Sequence, residues 1–183
     1  MKDFCENCPL RLYNTKGYCL SGVGDPYHGN LIVIPNVDYK GYKAQDISFS
    51  SQVKIITDLI SSTGVLEKVY IVPLIRCNET ISCEVDQTII NKCINWTNRD
   101  ITIYEFKRIL LLGSAVDRIL HSTVKYTIDK YIGGKRFIIE TNYSPLIKYT
   151  NDELYEVFKS KLISWYNEVI NKIYTKKEII RYD

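Results

Sequence analysis

Six cysteines are the side chains of this sequence best suited to chemistry, and four of them form two pairs. Cys5-Glu6-Asn7-Cys8 is a C-x2-C pair followed by Pro9-Leu10. Cys77 sits just beyond the apolar, β-branched stretch Val69 to Ile75, and Cys93 at the far end of a helix-like segment. Four such thiols close on one metal centre if the chain folds to bring them together. Thiolates are soft ligands, which suits zinc or an iron–sulfur cluster. A compact zinc ribbon normally uses C-x2-C for its second pair as well, so the wide Cys77–Cys93 separation leans away from one. Inert buried cysteines are the alternative. Cys19 and Cys83 are left over and read as small buried hydrophobes, with Cys83 able to replace Cys77 or Cys93 as a ligand.

The elements that would position these thiols are legible as hydrophobic periodicity. Leu31 to Ile34, Val69 to Ile75, Arg108 to Leu112 and Arg136 to Glu140 are short apolar runs, bounded by turn residues, that read as strands. Gln52 to Ile60 and Glu84 to Trp96 carry apolar residues at helical spacing. Ser114 to His121 opens a further helix. Leu146 to Ile173 is amphipathic, with a break near Thr150-Asn151 where Asp152-Glu153 suit a helix N-terminus. Near-continuous apolar strands alternating with helices predict an α/β fold: a central four-stranded parallel sheet with helices on both faces, in a single domain over residues 1–183. In such sheets the functional crevice lies beyond the carboxyl ends of the strands. Four loops then matter: Pro35 to Gly41, Arg76 onward, Gly113 onward and Thr141 to Pro145.

Composition sets wide bounds. The chain has 183 residues, 45% of them hydrophobic and 25% charged, with a net charge of +3. A charge this small permits nucleic-acid binding without arguing for it. No signal-peptide pattern and no apolar run near about 18 residues is present, so a cytoplasmic protein off the membrane is expected. In that compartment six cysteines point to metal or redox chemistry more than to disulfides.

The order of segments resembles one family. Cys5-x2-Cys8-Pro9-Leu10, then Gly22-x-Gly24-Asp25-Pro26 and an apolar strand, is similar to the start of the iron–sulfur (family 4) uracil-DNA glycosylases. The likeness runs on through Phe49, Val69-Tyr70-Ile71, Arg76-Cys77, Cys93 and Leu111-Leu112-Gly113-Ser114-Ala115, covering about residues 4 to 170. It implies a three-layer glycosylase-like fold and a structural [4Fe-4S] cluster held by Cys5, Cys8, Cys77 and Cys93, with zinc as the alternative. It also implies Phe49 stacking on a flipped base, although core packing ahead of a helix explains that residue as well. Phosphate contacts would come from Lys40, Lys43, Arg76 and Ser144.

The family's working residues are where the chain departs. Asn36 stands where the family has the glutamate that positions the attacking water. Asn can orient a water and touch a base but cannot take a proton, which leaves Asp38 as the nearby carboxylate. Pro73 replaces the asparagine that reads the flipped base, and Tyr143 falls at the position of the catalytic histidine. Gly24-Asp25-Pro26-Tyr27-His28 resembles the water-activating loop of the main uracil-DNA glycosylase family, but it precedes the first strand where that loop follows it. His28 reads as a solvated loop residue and His121 as a helix cap. The expectation is a DNA-binding relative with degenerate or lost excision activity, accessory to DNA replication or repair and able to partner other proteins of such an assembly. An active divergent glycosylase, with Asn36 and Tyr143 catalytic, is one alternative. A metal-stabilised protein-binding module is the other.

Overall fold

The computed structural model describes residues 8, 19–61, 68–77, 87–113 and 138–179. They form an α/β fold with a five-stranded mixed sheet flanked by helices. The strands are β1 (Val23–Gly24), β2 (Asn30–Asn36), β3 (Tyr70–Ile75), β4 (Arg108–Leu112) and β5 (Ile138–Asn142), in spatial order β1-β3-β2-β4-β5. β2 pairs in parallel with both β3 and β4, and β5 is parallel to β4. β1 runs antiparallel on the outer edge of β3.

The strand sequences are apolar without alternation because both faces are covered. In β2, Ile32 and Ile34 enter one core while Leu31 and Val33 enter the other. The first core is closed by α2 (Ser51–Ser61) through Val53, Ile56 and Ile60. The long C-terminal helix, here α4 (Asp152–Ile179), adds Phe158, Leu162 and Trp165 to it. The second core is closed by α3 (Gln87–Tyr104) through Ile89, Cys93, Ile94 and Ile101. Each large aliphatic or phenyl side chain buried in this way contributes about 1.5–3 kcal/mol.

Three sequence expectations need correction. The sheet is mixed and five-stranded, because the short strand β1, just after Gly22, adds an antiparallel edge beside β3 to the parallel strands. A Cβ at Gly22 would overlap the Tyr70 ring, and one at Gly24 (φ +97) the Val69 carbonyl oxygen. The glycines are what let this strand lie against β3. Second, Pro35 to Gly41 is not a polar loop. Pro35 and Asn36 finish β2, and a short helix, α1 (Tyr39–Ala44), follows with Asp38 as its N-cap. Third, α3 continues eight residues beyond Trp96. Its polar run conceals inward positions, since Thr97, Asp100 and Ile101 are all buried. The helix stops at Glu105, whose φ of +50 reverses the chain.

The break expected near Thr150-Asn151 is present. A 3-10 turn spans Pro145–Tyr149, and Asn151 Oδ1 then accepts from the Leu154 amide at 2.9 Å to start α4. The helix expected from Ser114, and His121 within it, lie outside the described residues. No helix among the described residues is long and apolar enough to cross a membrane.

At the amino end of the sheet, Tyr70 stacks on Phe106 with ring centroids 6.0 Å apart, and its hydroxyl accepts from the Gly22 amide. Burial first, and the Asp100 carboxylate second, push its phenol above the ordinary value of 10.0. Folding therefore favours the neutral phenol. That contribution is fully present below the unfolded value and is lost as pH rises through the higher folded one. Urea unfolding between about pH 9 and 11 should show declining stability, with a shallower decline in Tyr70→Phe. Equal slopes in the two proteins would refute the assignment.

Candidate functional site

The carboxyl ends of β2, β4 and β5 converge. Gly113, just after β4, has φ +86; a Cβ there would lie 3.1 Å from Pro35 Cγ and 3.6 Å from Ser144 Cβ. Its amide donates to the Asn142 carbonyl at 2.9 Å, so the ends of β4 and β5 are tied directly. The N-terminus of α2 completes the rim.

Asn36 is half-buried at this rim. Gln52, on the first turn of α2, donates through Nε2 to the Asn36 carbonyl at 2.9 Å and to its Oδ1 at 3.3 Å. Gln52 is 1% exposed, and its Oε1 has no hydrogen-bond partner among the described residues. Sequence reading missed this residue. The signal was a polar side chain on the otherwise apolar face of α2, beside Val53, Ile56 and Ile60.

Asp38 has another occupation than base chemistry. Its Oδ1 accepts from the Gly41 amide at 3.2 Å and its Oδ2 from the Ser51 amide at 2.6 Å. One carboxylate thus caps α1 and α2 together, which holds it to the backbone. Pro73 is buried inside β3, opposite Ile34 in the parallel register. It lies within the ladder and presents neither a donor nor a polar side chain to the rim.

Tyr143 is 40% exposed, and Lys161 Nζ lies 5.9 Å from its ring centroid. Its amide donates to Asn142 Oδ1 at 2.8 Å, while Asn142 Nδ2 donates to the Phe158 carbonyl at 3.0 Å. Buried Asn142, also unforeseen, therefore fixes the Tyr143 segment to α4. Ser144 caps the 3-10 turn, its Oγ accepting from the Leu146 amide at 3.3 Å. Lys40 and Lys43 are exposed on α1, with Lys43 Nζ 5.8 Å from the Tyr39 ring centroid.

Phe49 is 63% exposed at the end of the 3-10 turn Ile47–Phe49, so core packing is not its role. It has company. Eight large hydrophobic side chains are exposed among the described residues, and five of them (Tyr39, Phe49, Tyr143, Leu146 and Tyr149) follow the carboxyl ends of β2 or β5. Such concentration at one end of a sheet marks a binding surface more than scatter does.

Arg76, expected as a phosphate contact, is engaged within the fold. It is buried, its Nη2 meeting Asp100 Oδ2 at 2.5 Å and its guanidinium carbon lying 6.0 Å from the Trp96 ring centroid. Its carbonyl also accepts from the Leu20 amide. The guanidinium joins β3 to α3, with 6% of its side chain exposed.

Among the expected metal ligands, Cys77 and Cys93 are buried in the same apolar cluster, and Cys8 is buried. Cys5 and Cys83 lie outside the described residues. Among the described residues no group of three His, Cys, Asp or Glu side chains is placed to hold a metal. The second pair is thus brought into one neighbourhood from the exit of β3 and the face of α3. Soft, solvent-excluded thiols of this kind fit zinc or an iron–sulfur cluster. Cys19 is half-buried rather than buried, and lines a cavity of about 310 Å³ with Leu20, Asp46 and Ile47 among others.

The Gly24–His28 segment lies at the amino end of β2, away from the rim. Asp25 Oδ1 accepts from the Tyr27 amide, and its Oδ2 lies 3.0 Å from His28 Nδ1. It is a self-capped turn. Compared with known proteins, the chain matches no protein-family model and no curated protein.

Removing Arg76 leaves Asp100 buried and unpaired, so Arg76→Ala should cost about 3–5 kcal/mol in urea unfolding. Lys40→Ala, at an exposed position, should fall within about 0.5 kcal/mol of the parent. Comparable stability of the two variants would return Arg76 to the list of available cations.

Proposed function

We propose that this protein is a DNA-binding member of the iron–sulfur uracil-DNA glycosylase superfamily whose base-excision activity is degenerate or lost. It would serve an accessory role in DNA replication or repair, as an intracellular, DNA-associated protein open to partners in such an assembly. The finer fold reading, a three-layer glycosylase-like domain spanning residues 1–183, is part of the same proposal. The observation that carries it is the state of the rim. Among the described residues, the carboxylate and the strand position expected to do chemistry there are otherwise engaged, while the groups that would hold a strand stay exposed. Asp38 is committed to two helix N-termini and Pro73 to the strand ladder. Lys40, Lys43, Phe49 and Tyr143 face solvent.

The functional roles follow from that contrast. Lys40 and Lys43 would meet phosphates, with the Ser144 hydroxyl donating from the opposite lip. Phe49 would stack on a base, and Asn36, its amide held by Gln52, would touch the base edge or order a water. Asn36 cannot deprotonate that water, and Tyr143 supplies a phenol where an imidazole is needed. Cys5, Cys8, Cys77 and Cys93 would hold a [4Fe-4S] cluster, or zinc, which ties the N-terminal segment to β3 and α3. The active divergent glycosylase is the second reading, favoured only by the placement of Asn36 and Tyr143 on one rim.

Two measurements test this. Incubation with oligonucleotides carrying uracil or hypoxanthine should give salt-sensitive binding and no strand scission after alkali. Scission that disappears in Asn36→Ala would establish the active enzyme, and no binding at low salt would leave the protein-binding module. Separately, protein purified without oxygen should be brown, with broad visible absorption that Cys77→Ser bleaches. Zinc by elemental analysis would select the alternative metal, and colourless, metal-free protein would sink the four-thiol site.

A further inference from the structure

The exposed rings at the rim are too many for one flipped base, and their arrangement carries a further step that rests on the DNA-binding reading. Tyr39 is 60% exposed at the start of α1 and Tyr149 is 65% exposed at the end of the 3-10 turn after β5. Phe49 is exposed on the Ile47–Phe49 turn, and Tyr143 just ahead of the Pro145–Tyr149 turn. These segments are contiguous in space: α1 packs on the Ile47–Phe49 turn, and α2 packs on both that turn and the Pro145–Tyr149 turn. Cations are interleaved with the rings. Lys43 Nζ lies 5.8 Å from the Tyr39 ring centroid and Lys161 Nζ 5.9 Å from that of Tyr143, while Lys40 and Lys148 are exposed beside them.

We infer that this surface takes an unpaired DNA strand, with successive bases stacked on Tyr39, Phe49, Tyr143 and Tyr149 and its phosphates met by the interleaved lysines. The chemistry separates single strand from duplex. In a duplex the base faces are occupied by their neighbours, so an exposed ring gains nothing from it. In an unpaired strand those faces are open, and every base offers one. Lysines alone would serve either form, since they meet only phosphate. Four solvent-facing rings among lysines therefore select for the form with bare base faces.

The test is fluorescence anisotropy with a labelled thymidine 20-mer and a labelled hairpin duplex of the same nucleotide count, on the full chain, over a salt series. The single strand should bind at least about tenfold tighter than the duplex. Tyr39→Ala and Tyr149→Ala should each weaken single-strand binding by about fivefold or more while leaving the salt slope unchanged, and Tyr149→Phe should restore it. Lys43→Ala should instead lower the slope by about one. Circular dichroism melting checks that these exposed substitutions leave the fold intact. Equal affinity for the two DNAs, or tyrosine variants that bind like the parent, would overturn this inference and leave the DNA-binding reading standing. Absence of binding to either DNA by folded protein would remove that reading and this one together.

Discussion

The constraint behind the rest of the molecule is that β2 is buried on both faces and paired on both edges. It lies between β3 and β4, parallel to each, with Ile32 and Ile34 in one core and Leu31 and Val33 in the other. A strand so enclosed can be joined to its neighbours only by crossovers that return over a face of the sheet. The connections leaving β2, β4 and β5 all depart from one end, so polar and flexible chemistry has one place to gather. The convergence of Pro35, Gly113 and Ser144 is a consequence of topology before it is a property of any site.

That gathering brings competition for the same polar atoms. The α1 and α2 N-termini open side by side at the rim, and each leaves amides that its own helix cannot satisfy. Asp38 answers both, with one oxygen for each helix. Gln52 answers the carbonyl of Asn36 from within the apolar face of α2. These bonds give the rim its shape and at the same time bind up the carboxylate of Asp38. A residue can cap a helix pair or accept a proton from water, and here the geometry has assigned the first.

How much was legible depended on the range of the interaction. Strands β2, β3 and β4 announced themselves because continuous burial leaves a continuous apolar run. The Thr150-Asn151 break was legible because capping is local. β1 was not, since the two glycines that let it approach Tyr70 and Val69 carry the same letters as a turn. The last turns of α3 were hidden for a related reason: Asp100 looks like surface until Arg76, 24 residues away, is placed opposite it. Arg76 was misplaced by the same blindness, its position beside a strand exit being readable and its partner not. For Phe49 the residue type allowed both burial and exposure, and only the packing of the Ile47–Phe49 turn separates them.

The proposed loss of excision and the retained rings make sense together. Reading one base requires donors and acceptors set against its edge, and a mismatch there leaves a buried polar group without a partner. Pro73, sealed in the ladder, offers none, so discrimination by that route is closed. Stacking has no such requirement, because its contact is a face common to every base. A rim that gave up edge recognition would lose selectivity first and affinity last, provided its rings and lysines stayed in solvent. In the proposed reading, the exposure of Tyr39, Phe49, Tyr143 and Tyr149 is therefore the physical counterpart of the proline: the surface holds what it no longer reads.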